Sequence, residues 1–188
     1  EMLRSLVGSE MCIRDRLMQT LVSFKEDLCR EDFNAIPFIN ADGYHSKTIA
    51  YSIWHIFRIE DIVAHTVITE DEQVFFTGNY QVRINSPIIT TGNELVKQQI
   101  ADFSKQLNLE ELYSYIFEVR ESTEKILERF SYDELKWKIP DERKGYLKSL
   151  NVVNCDEKAI WLIDYWCSKD IRGLIQMPFS RHWIMHTE

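Results

Sequence analysis

No stretch of the 188-residue chain stays apolar for the roughly 18 residues a membrane-spanning helix needs, because Arg58, Glu60 and Asp61 interrupt its most hydrophobic segment. A membrane is therefore not an expected partner. The chain also lacks a cluster of lysines or arginines, and 22 basic against 30 acidic residues leave a net charge of -8. Such a surface has none of the positive footprint that a phosphate backbone requires, so nucleic acid is not an expected partner either. Cysteine is scarce. Cys12, Cys29, Cys155 and Cys167 form no CxxC pair and no disulfide framework, which places the expected compartment in a reducing cytoplasm. There is no low-complexity segment and no repeat with a period of roughly 20–50 residues, which excludes solenoids and arrays.

What the chain does carry is apolar content, 45% of its residues, enough for one domain with a sizeable core. Leu17, Leu21, Phe24 and Leu28 recur at helical spacing and predict a first helix ending near Cys29. Phe33 to Gly43 reads as a turn-rich connection. Ser46 then fits as the N-cap of SKTIAYSIWHIFRIEDIVAHTVI, the strongest helix in the chain, with Ile49, Ile53, Ile56 and Val63 on one face and Trp54, Phe57 and Ile62 widening it. Asp71 to Gly92 is expected to be a long crossover. A helix is expected from near Asn93 and Glu94, with a pause at Leu107-Asn108 and a second long helix through LEELYSYIFEVRESTEKILERF. Pro140 and Gly145 leave room only for short helices after Phe130. Asp156 caps another helix, and Gly173 with Pro178 marks a bend before FSRHWIMHTE. With little strand signal, an all-α bundle is the simplest architecture.

The stretch LVGSEMCIRD, Leu6 to Asp15, has no cap and no clean period, and it lacks the features of a targeting segment. It is similar to the translation of a common transposase-based sequencing adapter. Residues 1–16 are therefore set aside as a non-native extension and are expected to make few specific contacts, a frayed natural terminus being the alternative. At the other end nothing after HTE stops a helix, so the chain is expected to end inside one, with Arg181 to Glu188 docked facing His55.

Two of the five histidines, His182 and His186, stand four apart in RHWIMH. On a helix this spacing puts both imidazoles on one face, within reach of a common divalent metal. Without the glutamate of an HExxH motif the pair alone is a weak signal, and surface or capping histidines are the commoner reading. His55 adds weight, because it lies in the most apolar helix, where a charged imidazolium is expensive to bury. It is either a neutral core histidine bonded to a carbonyl or tyrosine, or a third ligand met across the core of a bundle.

SIWHIFRIED, around His55, and SRHWIMHTE, around His182 and His186, resemble the DinB/YfiT-like superfamily of four-helix-bundle metalloenzymes over essentially Leu17 to Glu188. The resemblance implies that residues 17–188 form a single DinB-like four-helix bundle. The segment from about Ser131 to Leu174 is longer than such a bundle needs, which implies an additional helix before the C-terminal HxxxH helix. It also implies a three-histidine site with His55, His182 and His186 as the metal ligands. No other residue is carried over, and no catalytic residue is assigned.

Three neutral imidazoles leave a divalent ion with an open position, a catalytic type of coordination that zinc, nickel, manganese and iron all accept. The resemblance further implies transfer or isomerisation chemistry on a small-molecule substrate, using a low-molecular-weight thiol such as bacillithiol or mycothiol. Trp54, Phe57, Trp161, Trp166 and Trp183 are candidates to wall the pocket, with plain core packing as the better expectation for most. Arg58, Glu60 and Asp61 are near His55 in sequence but receive no role, and His45 and His65 are not expected to be ligands. The alternatives are a non-enzymatic binding module, such as a homodimer with structural histidines, and a metal-dependent hydrolase. A reactive thiol at Cys155 or Cys167 is weaker still.

Overall fold

The structure, a computed structural model, describes residues 2–36, 40 and 46–187. Among these the chain is all-helical, and its only β-type pairing is an isolated antiparallel bridge between Lys138 and Asp170. The elements are α1 (Met2–Asp27), α2 (Arg30–Asn34), α3 (Ile49–Asp61) continued by a π-helical segment (Ile62–Thr69), α4 (Val74–Thr77), α5 (Tyr80–Ile84), α6 (Gln98–Gln106) and α7 (Leu109–Leu127). They are followed by α8 (Glu142–Ser149), α9 (Glu157–Cys167), α10 (Ile171–Gln176), a second π-helical segment (Met177–Arg181) and α11 (His182–Thr187). No described helix is long and apolar enough to cross a membrane.

α3 is the axis of the fold. Every residue from Ala50 to Val67 is buried, so the helix is enclosed on all sides rather than on one face. It packs against α7 and α11, and α11 packs against α1. Its first half, with Ile53, Trp54, Ile56 and Phe57, belongs to one apolar cluster that includes Leu21, Phe103, Ile116 and Trp183. Its second half and the π segment, Ile59 to Val67, belong to another built with Leu147, Leu162, Trp166 and Phe179. α8 and α9, which follow α7 and precede α11 in the chain, pack on each other and on the π segment.

Full enclosure obliges the charged residues of α3 to find partners inside the protein. The Asp61 carboxylate accepts from the Val74 and Phe75 backbone N–H groups, both at 2.9 Å, and from the Tyr115 hydroxyl at 2.9 Å. Burial pushes its pKa up, opposed first by Arg58. Arg58 donates to the Ile89 carbonyl at 2.7 Å and to Gln73 at 2.8 Å, and lies over the Phe75 ring.

Several boundaries differ from the sequence expectation. Thr48, not Ser46, caps α3, its hydroxyl accepting from the Tyr51 N–H at 3.0 Å. α6 begins at Gln98, several residues after the expected start, while the crossover holds two helices of about one turn each, α4 and α5. Pro178 does not break the helix. Helix continues from Ile171 to Thr187 through a π turn, a wider winding that accommodates a residue with no N–H to donate. Asp156 caps α9 as expected, and Asn108, at the expected pause, caps α7.

The largest difference is at the N-terminus, where α1 starts at Met2 and residues 1–16 do not all lack specific contacts. The Arg14 side chain is 0% exposed. It forms a two-pronged ion pair with Glu60, at 2.9 and 2.8 Å, donates to the Phe179 carbonyl at 2.9 Å and lies over the Trp183 ring. Asp15 pairs with Arg120 of α7.

Candidate metal centre

His55, His182 and His186 come together, their ligand nitrogens all within 4.8 Å of one another. His55 is 4% exposed on α3. Its Nδ1 lies 2.6 Å from the Thr91 carbonyl, so that nitrogen carries the proton and donates, leaving the Nε2 lone pair free to face His182. The loop that supplies this carbonyl turns at Gly92, whose φ of +77 favours glycine, and a Cβ there would sit 2.8 Å from the Trp54 ring. The Tyr51 hydroxyl donates to the Gly92 carbonyl at 2.9 Å while its ring stacks on His55, with centroids 5.3 Å apart.

The other two histidines come from α11, where the spacing of four places both rings toward His55. His186 lies 4.9 Å from the His55 ring by centroids, and His182 lies 5.1 Å from it. Trp183, between them in sequence, turns into the core. Its Nε1 donates to Glu60 at 3.0 Å, so the carboxylate that holds Arg14 also fixes α11.

Burial removes the charge from all three rings. It pulls the His55 pKa down to about 4, outweighing the hydrogen bond to Thr91. Burial, then the proximity of His55, holds His182 well below the usual histidine range, and the same causes lower His186. Neutral imidazole is the form that binds a metal.

The donor set fits a zinc-class ion. Zinc–nitrogen bonds of about 2.0–2.1 Å put two ligands of a tetrahedron about 3.3–3.4 Å apart. The Nε2 atoms of His55 and His182 are 3.3 Å apart, a close approach of two basic nitrogens. Three histidine ligands would leave a fourth position open, and all three line a cavity of about 460 Å³. Trp161 and Trp166 line that cavity, whereas Trp54, Phe57 and Trp183 are core residues.

The remaining candidates lie elsewhere. Arg58 and Asp61 serve the α4 junction, and the partner that orients His55 is a carbonyl rather than one of the nearby carboxylates. His65 bonds Asp71 at 2.6 Å and Ser122 at 3.0 Å. Although this order matches a serine–histidine–aspartate relay, Ser122 lies inside α7, where neighbouring N–H groups are spent in helical bonds and none remains for an oxyanion. His45 lies outside the described residues. Cys155 is exposed, Cys167 is buried with its pKa raised by desolvation, and neither lines the cavity.

Three contributors were assigned no role from sequence. Thr91 acts through its backbone, which carries no residue-type signal, and Arg14 lies in the stretch set aside. Glu60 did carry one, a carboxylate in the most apolar helix, which needed a buried partner. Compared with protein-family models and with curated proteins, the chain matches none.

Proposed function

We propose that the chain is a metal-dependent transferase of the DinB/YfiT-like kind, in which His55, His182 and His186 hold a divalent ion and a low-molecular-weight thiol is the nucleophile. The observation that carries this reading is the convergence of three neutral imidazoles, with His55 buried and His186 partly buried, at the wall of a largely apolar cavity. A bound divalent ion would supply Lewis acidity, lowering the pKa of a coordinated thiol or water toward neutrality.

The protein's own groups do the rest. The Thr91 carbonyl holds the His55 tautomer, and the stacked Tyr51 ring limits its rotation. Glu60, through Trp183, fixes the turn of α11 that carries the other two ligands. Trp166, Met177 and Pro178 form an apolar part of the cavity wall. A purely structural role for the histidines would need no cavity beside them, and this favours the enzymatic reading over a non-enzymatic module.

Metal analysis tests the site. The parent is expected to bind one divalent ion per chain, and His55→Ala and His186→Ala to bind none. Unchanged metal content in the variants, or none in the parent, would sink the reading. Turnover of a small thiol with an electrophile by the loaded parent then tests the transferase activity.

A further inference from the structure

The cavity beside the histidines is electrostatically one-sided. Among the described residues no aspartate or glutamate lines it, in a chain of net charge -8. Its one charged lining residue among those described is Lys47, immediately before the Thr48 cap of α3. The Lys47 ammonium lies 5.2 Å from the Tyr51 ring centroid and makes no ion pair among the described residues. Lys158, in the first turn of α9, adds a second positive charge near it. Asn93 lines the same cavity with a side-chain oxygen that is buried and has no hydrogen-bond partner among the described residues. Turned over, that amide presents an N–H donor.

The rest of the wall is apolar or aromatic, with Trp161, Tyr165 and Met177 along it. A cavity of about 460 Å³ has the size of a small-molecule site. An uncompensated cation in apolar surroundings favours a ligand that brings the missing negative charge.

We propose that this cavity binds a small organic carboxylate, its apolar body against Trp161, Tyr165 and Met177 and its carboxylate on Lys47 and the Asn93 amide. The assignment rests on the metal-site reading only in that a dication held by three neutral ligands would strengthen the same preference. Lys47 supplies the selectivity by itself.

Binding of phenylpropionate and of its uncharged methyl ester, followed by Trp161 fluorescence and calorimetry, tests the proposal in chelator-treated and in zinc-loaded protein. The acid is expected to bind chelator-treated parent about tenfold more tightly than the ester, the worth of a charged hydrogen bond. Lys47→Met should erase that preference while still binding the ester, and Lys47→Arg should keep it. In chelator-treated protein, equal binding of acid and ester, no binding of either, or a preference that survives Lys47→Met would each overturn the proposal. A parent that takes up no metal yet shows the Lys47-dependent preference removes the three-histidine reading and leaves this one standing. Stoichiometric metal without the preference does the reverse.

Discussion

A histidine held neutral by burial carries a pH signature. In the folded protein His55 takes up a proton only near pH 4, whereas its ordinary value is 6.5. Between those values the unfolded chain binds more protons than the folded one, so stability rises with pH across the window and is lost as pH falls through it. Each such histidine contributes a slope of about 1.4 kcal/mol per pH unit. Asp61, raised by burial, acts in the opposite sense, so the histidine share is read as a difference. The melting temperature of metal-free parent is expected to fall more steeply than that of His55→Gln between about pH 7 and about pH 5. Parallel curves would contradict the assignment. Gly92 is the other decisive single position. Gly92→Ala strains a left-handed backbone and drives a Cβ against Trp54, displacing the Thr91 carbonyl from His55. Loss of an orienting partner of this kind weakens metal binding about 10–100-fold, measurable by titration calorimetry.

At the scale of elements, one buried knot joins α1, α3 and α11. Arg14, Glu60 and Trp183 are each 0% exposed, and every one belongs to a different helix. Removing one partner leaves the other charge buried without compensation, which costs about 3–5 kcal/mol. Arg14→Ala is therefore expected to lower urea stability by that amount and to loosen α11 enough to weaken metal binding. A loss within the range of an ordinary surface substitution would show that the knot does not hold the helices together. The two π segments belong to this scale too, since helical periodicity predicts helix there without revealing the wider winding. At Pro178 the missing N–H is a local cause, but its outcome, a continuous helix rather than a break, depends on the packing of Phe179 and Trp183.

For the molecule as a whole, the histidine cluster lies where two apolar cores meet along α3. Tyr51 stands on one side of it, with Ile59, Leu162 and Trp166 on the other. An ion held there would clamp α3 to α11 and so couple the cores. A ligand that binds only the folded state adds about 2.7 kcal/mol at a hundredfold excess over its Kd. Zinc is expected to raise the melting temperature of the parent, reversibly with a chelator, and to leave His186→Ala unchanged. Equal shifts in both proteins would locate the bound metal elsewhere.

Helical class, the burial of α3 over more than half its circumference and the pairing of His182 with His186 were all readable from the chain, because each depends on spacing within one segment. The period of about 3.6 residues sets which side chains share a face, and no distant residue is needed to compute it. What only the tertiary structure decided depends on contacts between segments far apart in sequence. The approach of His55 to His182, the choice of the Thr91 carbonyl over nearby carboxylates, and the burial of Arg14 against Glu60 all span dozens of residues or more. Each is settled by desolvation, which obliges a buried polar group to take whichever partner the packed helices bring within reach.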